Sequence, residues 1–180
     1  MKQTDKRIGK WFCASFICGC LSLVSLGVQA ASPWVTVGEA RFSVLWFDVY
    51  DAKLSTQTGR FEGVTAPIEL ELTYLRQISK EELVEQTEKQ WKRLGFPSEQ
   101  YQPWLAALTQ VWPNVNKGDR LAFSFPSAGQ SGFTFNDEPL TAPEGVNLDD
   151  DFARAFLLIW LSEETPNLKF FQQLTGQVEN

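Results

Sequence analysis

The sequence predicts an α+β fold: a long, mostly antiparallel sheet with helices packed on it. Three observations predict it. Residues 67–76, PIELELTYLR, alternate cleanly, with Ile68, Leu70, Leu72 and Tyr74 on one face and Glu69, Glu71 and Thr73 on the other, the mark of a half-buried strand. Residues 79–95 carry a full set of helix start and stop signals. The remaining strands come in groups joined by short turns, which favours antiparallel pairing over βαβ crossovers.

Taken in order, Trp34–Val37 and Phe42–Tyr50 read as two strands broken by Gly38, and Arg60-Phe61 as the start of a short third after the polar turn STQTG. The alternating strand over 67–76 follows. Ser79 and Glu82 form the S-x-x-E capping box of a helix, with Ile78 and Leu83 at the staple positions. Leu83, Val84, Thr87, Trp91 and Leu94 line one helical face, and Gly95 sits where the helix should stop. A second helix is expected around Pro103–Trp112, with Trp104, Leu105, Leu108 and Val111 inward, before the turn chemistry of WPNVNKGD. RLAFSF and GFTFN are two alternating strands, and NDEPL leads to a shorter third near Leu140. Asp149, Asp150 and Asp151 suit the positive end of the helix DFARAFLLIWL, which is apolar on nearly every side and so expected to be buried on two. Thr165-Pro166 pairs an N-cap with a proline at the first helical position, opening a last helix that ends near Gly176.

The first thirty residues have the form of a leader. Lys2, Lys6, Arg7 and Lys10 precede an apolar stretch from Trp11 to Leu26, and VQA at Val28–Ala30 predicts cleavage after Ala30. The stretch is short for a membrane span, so no stable insertion is expected after cleavage. Apolar residues continue past Cys20, which argues against a lipoprotein site there. The expectation is a periplasmic or secreted protein with one domain over residues 31–180, a length able to bury a working core.

Composition then removes whole classes of chemistry. All three cysteines, Cys13, Cys18 and Cys20, lie in the leader, and the chain has no histidine. Thiolate and imidazole metal sites and Ser-His-Asp or Cys-His catalysis are therefore excluded from the mature chain. The run Asp149–Asp151 lacks the spaced ligands and central glycine of a calcium loop. Removing four basic and one acidic residue from 16 and 22 leaves 12 against 21, a net charge of −9. That balance argues against nucleic acid as a partner. No cofactor is expected.

Charges on apolar strands are the candidate site residues. Arg76 continues the parity of Ile68, Leu70, Leu72 and Tyr74, so its stem is expected along the buried face, clamping a carboxylate or pairing with an acid. Asp48 shares parity with Phe42, Val44, Trp46 and Tyr50, which makes a structural ion pair with Arg76 the natural expectation. Arg41 takes the opposite parity, with Ser43, Leu45, Phe47 and Val49. Trp91, Trp104 and Trp160 fall on helical faces and read as core, leaving Trp46 as the tryptophan placed to touch a cleft.

Five stretches, VGEARFSVLWFDVYDAKL, IELELTYLRQISKEELVEQTEKQWKRLG, WPNVNKGDRLAFSF, FTFNDEPL and FARAFLLIWLSEETPNLKFFQQLTG, span nearly all of residues 37–176. In kind and order they resemble the bacterial chalcone isomerase-like proteins of the chalcone isomerase and fatty-acid-binding superfamily. The resemblance implies an open-faced β-sandwich with a ligand cleft between sheet and helices. It implies Arg41 as the polar end for an acidic ligand, with Leu45 and Phe47 as apolar wall and Trp46, Tyr74 and Arg76 nearby. The enzymes of the superfamily use an arginine before the strand at 42–50, where this chain has SPWVTVG, and a tyrosine and an asparagine near the following helix, where it has SKEELVEQTEKQW. A threonine of the enzymes falls at Leu45. The resemblance thus implies a non-catalytic protein binding a small apolar or fatty-acid-like ligand. Its alternatives are an intramolecular lyase, with Arg41 or Arg76 stabilising an oxyanion, and an envelope interaction protein with a filled cleft.

Overall fold

Six strands form one antiparallel sheet in simple sequential order, β1 (Val35–Val44), β2 (Phe47–Thr56), β3 (Ile68–Tyr74), β4 (Arg120–Ser127), β5 (Gln130–Phe135) and β6 (Glu138–Leu140). Between β3 and β4 run α1 (Lys80–Arg93) and α2 (Ser98–Val111), and after β6 come α3 (Asp150–Leu161) and α4 (Leu168–Leu174). The structure, a computed structural model, describes residues 34–144 and 148–177. The expected leader, its cleavage point and the three cysteines lie outside the described residues.

Register gives the sheet two different faces. Ala40, Ala52, Leu72, Leu121 and Phe135 form one cross-strand row, and Leu54, Leu70, Phe123 and Phe133 the next, all on the inner face. Rows of the opposite parity carry Glu39, Lys53 and Glu71, then Arg41, Asp51, Thr73 and Arg120. Among these, Lys53 Nζ meets Glu71 at 2.8 Å and Arg120 pairs with Asp137. This charged outer face needs no cover; the inner face does, and the helices supply it.

The core lies between that inner face and α3, with α1 behind. Phe123, Phe133, Phe152, Phe156 and Trp112 pack as an aromatic cluster with ring centroids 4.8–6.2 Å apart. Trp91 is fully buried, stacks on Tyr101, meets Trp104 at a tilt, and donates its indole N–H to the Ala155 carbonyl at 2.9 Å, tying α1 to α3. Gly38 has a packing duty: a Cβ there would meet the Gln173 carbonyl oxygen at 2.2 Å and that of Leu174 at 2.7 Å, so α4 can lie against β1 only over a glycine.

Helix starts follow their local chemistry. Ser79 caps α1 in a complete box, its Oγ accepting from Glu82 N at 3.2 Å while Glu82 accepts from Ser79 N at 3.0 Å. Asp149 caps α3 by accepting from Phe152 N at 2.8 Å. Three boundaries differ from the sequence expectation. α2 begins five residues before Pro103, at Ser98 behind the N-cap Pro97, so the proline sits inside the helix. α4 is capped by Asn167, which accepts from Phe170 N at 3.0 Å, not by Thr165. Arg60-Phe61 starts no strand and belongs to the irregular connection between β2 and β3.

The largest correction concerns residues 35–56. Gly38 does not break a strand; β1 runs through it with one extra residue, Val37, bulged. The expected strand Phe42–Tyr50 is instead a hairpin, turning at Leu45-Trp46 so that Val44 pairs with Phe47. Leu45 holds φ at +56°, a left-handed value that hairpin turns normally give to glycine.

Candidate functional site

A second bulge sets the site. Ser43 pairs with Asp48 and Phe42 with Tyr50, leaving Val49 as an extra residue on β2. The bulge reverses parity, so Asp48 and Tyr50 point to opposite faces although they are two residues apart. Asp48 therefore joins Arg41 on the outer face. Arg41 Nη1 donates to Asp48 Oδ2 at 3.2 Å, and Ser43 Oγ to Asp48 Oδ1 at 2.6 Å. Arg41 also meets Asp51 bidentately, Nε to Oδ1 at 2.6 Å and Nη2 to Oδ2 at 2.9 Å. Hydrogen bonding and charge from Asp51, then Asp48, raise the arginine's pKa above its ordinary value. The expected Asp48–Arg76 pair is not formed: Asp48 is held by Arg41, and the reason is the bulge. Arg41 is likewise misplaced as a cleft residue. It borders a polar outer depression of about 540 Å³ with Glu39, Lys53 and Glu71.

The inner face carries the cavity. About 430 Å³ is enclosed between the sheet and α1, α3 and the start of α4, near the lower end of the ~300–1,000 Å³ usual for small-molecule sites. Phe42, Tyr50, Leu72, Tyr74 and Leu121 form its sheet wall. Leu83, Gln86, Thr87 and Gln90 come from α1, and Phe156, Ile159 and Trp160 from α3. Thr165, Pro166, Asn167 and Phe170 complete the side facing β1. The aromatic wall is mutually braced. Phe42 stacks on Tyr50 at 5.1 Å, Phe170 meets Phe42 edge-on at 5.9 Å, and Tyr50 meets Tyr74 edge-on at 6.1 Å.

Polar groups in this cavity are few and specific. Trp160 donates its indole N–H to the Tyr50 hydroxyl at 2.9 Å. Burial pushes the phenols of Tyr50 and Tyr74 above their ordinary range, so both remain protonated donors at neutral pH. Trp112, which also lines the cavity, is buried with its indole N–H unpartnered among the described residues. At the mouth stand Arg76 and Glu82. Arg76 is exposed just beyond β3, and no ion pair of it occurs among the described residues. Glu82 is occupied by its cap: hydrogen bonds from the Ser79 backbone and hydroxyl hold its carboxyl below the ordinary range.

Of the residues expected at a ligand site, Tyr74 and Arg76 line this cavity together. Leu45, Trp46 and Phe47 do not line it; they form the hairpin tip, 85 %, 92 % and 66 % exposed, because the chain turns where a straight strand was expected. Sequence reasoning missed Tyr50, Trp112, Ile159 and Trp160 as lining residues. The available signal was the apolar girth of α3, which exceeds what one core face requires. Among the described residues, no group of three His, Cys, Asp or Glu side chains could hold a metal ion.

No protein-family model matches the chain. A curated but uncharacterized protein of Haemophilus influenzae is 26% identical over 148 residues, covering 82% of this chain and 70% of that one. Among solved structures, the crystal structure of an Arabidopsis thaliana fatty-acid binding protein superposes with a TM-score of 0.59 at 10% identity, covering 82% of this chain and 89% of that one. Six antiparallel strands in an open sheet, with four helices packed on it and a cavity between them, give this chain the α+β chalcone isomerase-like fold.

Proposed function

We propose that this protein binds, without chemically altering, a small and largely apolar carboxylate such as a fatty acid. One observation carries the reading: a cavity of about 430 Å³ walled by aromatic and aliphatic side chains, with Arg76, in no ion pair among the described residues, at its mouth. The tail would displace water from Phe42, Leu72, Leu121 and Ile159, and Arg76 would face the carboxylate. The protonated phenols and the Trp112 indole are donors, suited to an oxygen that enters more deeply.

The same groups make poor catalysts. A general base needs a pKa near the working pH. Here the phenols are pushed up and the Glu82 carboxyl is pulled down, so neither kind of group sits there. With its expected leader removed after Ala30, the protein would work in the periplasm or outside the cell; amino-terminal sequencing of the protein from its own cells tests that point.

The binding test is titration with a fluorescent fatty acid and its displacement by palmitate. Saturable binding is expected, abolished by Ile159→Trp, which fills the cavity. Absence of saturable binding, or equal binding by Ile159→Trp, would overturn the reading.

A further inference from the structure

The hairpin that left the cavity wall has an unusual tip. Val44, Leu45, Trp46 and Phe47 are four consecutive large apolar residues, and each is at least half exposed. Leu45 holds its left-handed φ there, although a polar or glycine residue would fit the turn with less strain. Natural hairpin tips are polar; one that keeps Leu-Trp in a strained turn is specified for contact with something apolar.

The tip is continuous with the cavity. Val44, the first residue of the tip, and Val49, two residues after it, belong to the cavity lining. α4 runs beside β1 in the opposite direction, with Phe170 against Phe42 and Leu174 over Gly38. Its first turn therefore lies at the hairpin end, where Leu168 is 53 % exposed directly after the lining residues Thr165, Pro166 and Asn167. One end of the molecule thus combines the cavity mouth with two apolar projections.

Area and charge choose the occupant. The four tip side chains offer on the order of 500 Å², short of the ~800 Å² per partner of an ordinary protein interface. Insertion into lipid needs no matching surface, and tryptophan favours the level of the headgroups. The nearest charged groups on the hairpin carry no net positive charge, one arginine, Arg41, against two carboxylates, Asp48 and Asp51. At the mouth Arg76 lies within the electrostatic reach of Glu82, and with a chain net charge of −6 no net positive patch at this end recruits an anionic lipid.

We propose that the Val44–Phe47 tip docks on an uncharged, zwitterionic lipid surface. Leu45, Trp46 and Phe47 enter the interfacial layer, and the cavity mouth is held against the bilayer. Docking of this kind lets an apolar ligand pass between cavity and membrane without crossing water, an extension that rests on the ligand reading above.

Vesicles of phosphatidylcholine alone, and with one-third phosphatidylglycerol, test it by co-sedimentation of the full chain. Leu45→Gly with Trp46→Ser is the informative pair, since glycine suits the turn; Trp46→Phe is the conservative control. The pair should lower partitioning roughly tenfold or more, the control should retain it, and phosphatidylglycerol should not strengthen it. All variants share one leader, so its own lipid affinity cancels. Unchanged partitioning in the pair overturns the proposal, as does binding that depends on the anionic lipid. Self-association abolished by the pair would reassign the tip to a second copy and also overturn it. Transfer of anthroyloxy-labelled palmitate from protein to vesicles separates the two ideas. A rate that climbs with vesicle concentration supports docking, and a flat rate overturns it. If the probe does not bind at all, the ligand reading fails while co-sedimentation still decides the tip.

Discussion

Trp160 on α3 donates its indole N–H to the hydroxyl of Tyr50 on β2, at 2.9 Å, across the wall of the cavity. This bond joins α3 to the sheet across the cavity, where Tyr50 also meets Phe170 of α4 edge-on at 6.4 Å. Tyr50→Phe keeps the ring and its stack on Phe42 but removes the acceptor. It should cost about 1 kcal/mol in urea unfolding, and Trp160→Phe in the same background should add little through this bond.

Arg76 and Arg41 have separate fates. Arg76→Ala should weaken binding of a carboxylate probe about five- to tenfold and leave binding of the matching alcohol unchanged. Arg41→Ala should leave both affinities unchanged, because its guanidinium is committed to Asp48 and Asp51 on the outer face. Equilibrium titration of the two variants with the acid and the alcohol provides the check.

Gly38→Ala should destabilise the fold by about 1–3 kcal/mol through overpacking. Its new Cβ would meet backbone carbonyl oxygens of α4, which cannot swing aside like a side chain. Thermal unfolding with hydrogen exchange at β1 and α4 would show the loss localised to that contact.

Leu45→Gly should stabilise the protein by up to about 1 kcal/mol by relieving the left-handed backbone. The expected rise in melting temperature, together with weaker vesicle partitioning, would show stability and surface docking drawing on the same residue.

Acid should loosen α1 and the turn before β4. Glu82 is held below its ordinary value by Ser79, and Asp119 below its own by Asn136 and Asn116. A carboxyl lowered in the folded chain contributes stability above its unfolded pKa and loses it as pH falls through the folded one. Melting temperature should therefore fall on acidification below about pH 4, and less steeply in Glu82→Gln and Asp119→Asn. Ser79→Ala should cost about 1 kcal/mol at neutral pH.

Much of the fold was legible wherever one strong local rule acted alone. Alternation placed Ile68, Leu70, Leu72 and Tyr74 inward, and all four are buried. The capping box at Ser79 and the acidic start of α3 form as their chemistry requires. The site was harder to read because two one-residue bulges and an unmarked turn reset parity in residues 35–56. Nothing in FSVLWFDVY resembles a hairpin turn, since Leu-Trp lacks the glycine or asparagine that normally supplies a positive φ. Once the chain turns there, the assignments of Asp48, Leu45 and Phe47 shift; Arg41 keeps its parity opposite Phe42, but that face is the outer one and not the cleft. Arg76 and Tyr74, beyond the irregularity, lie at the cavity.

The close seat of α4 on Gly38 also anchors an outer strand of the sheet. An open sheet has two outer strands whose spare N–H and carbonyl groups invite a stranger to add on. Here β1 is overlaid by the carbonyl end of α4. At the far side, β6 offers just three residues, with Pro139 in the middle. The short, proline-bearing β6 blunts one outer strand against such pairing, while the other keeps its helix only because a single side-chain carbon is absent.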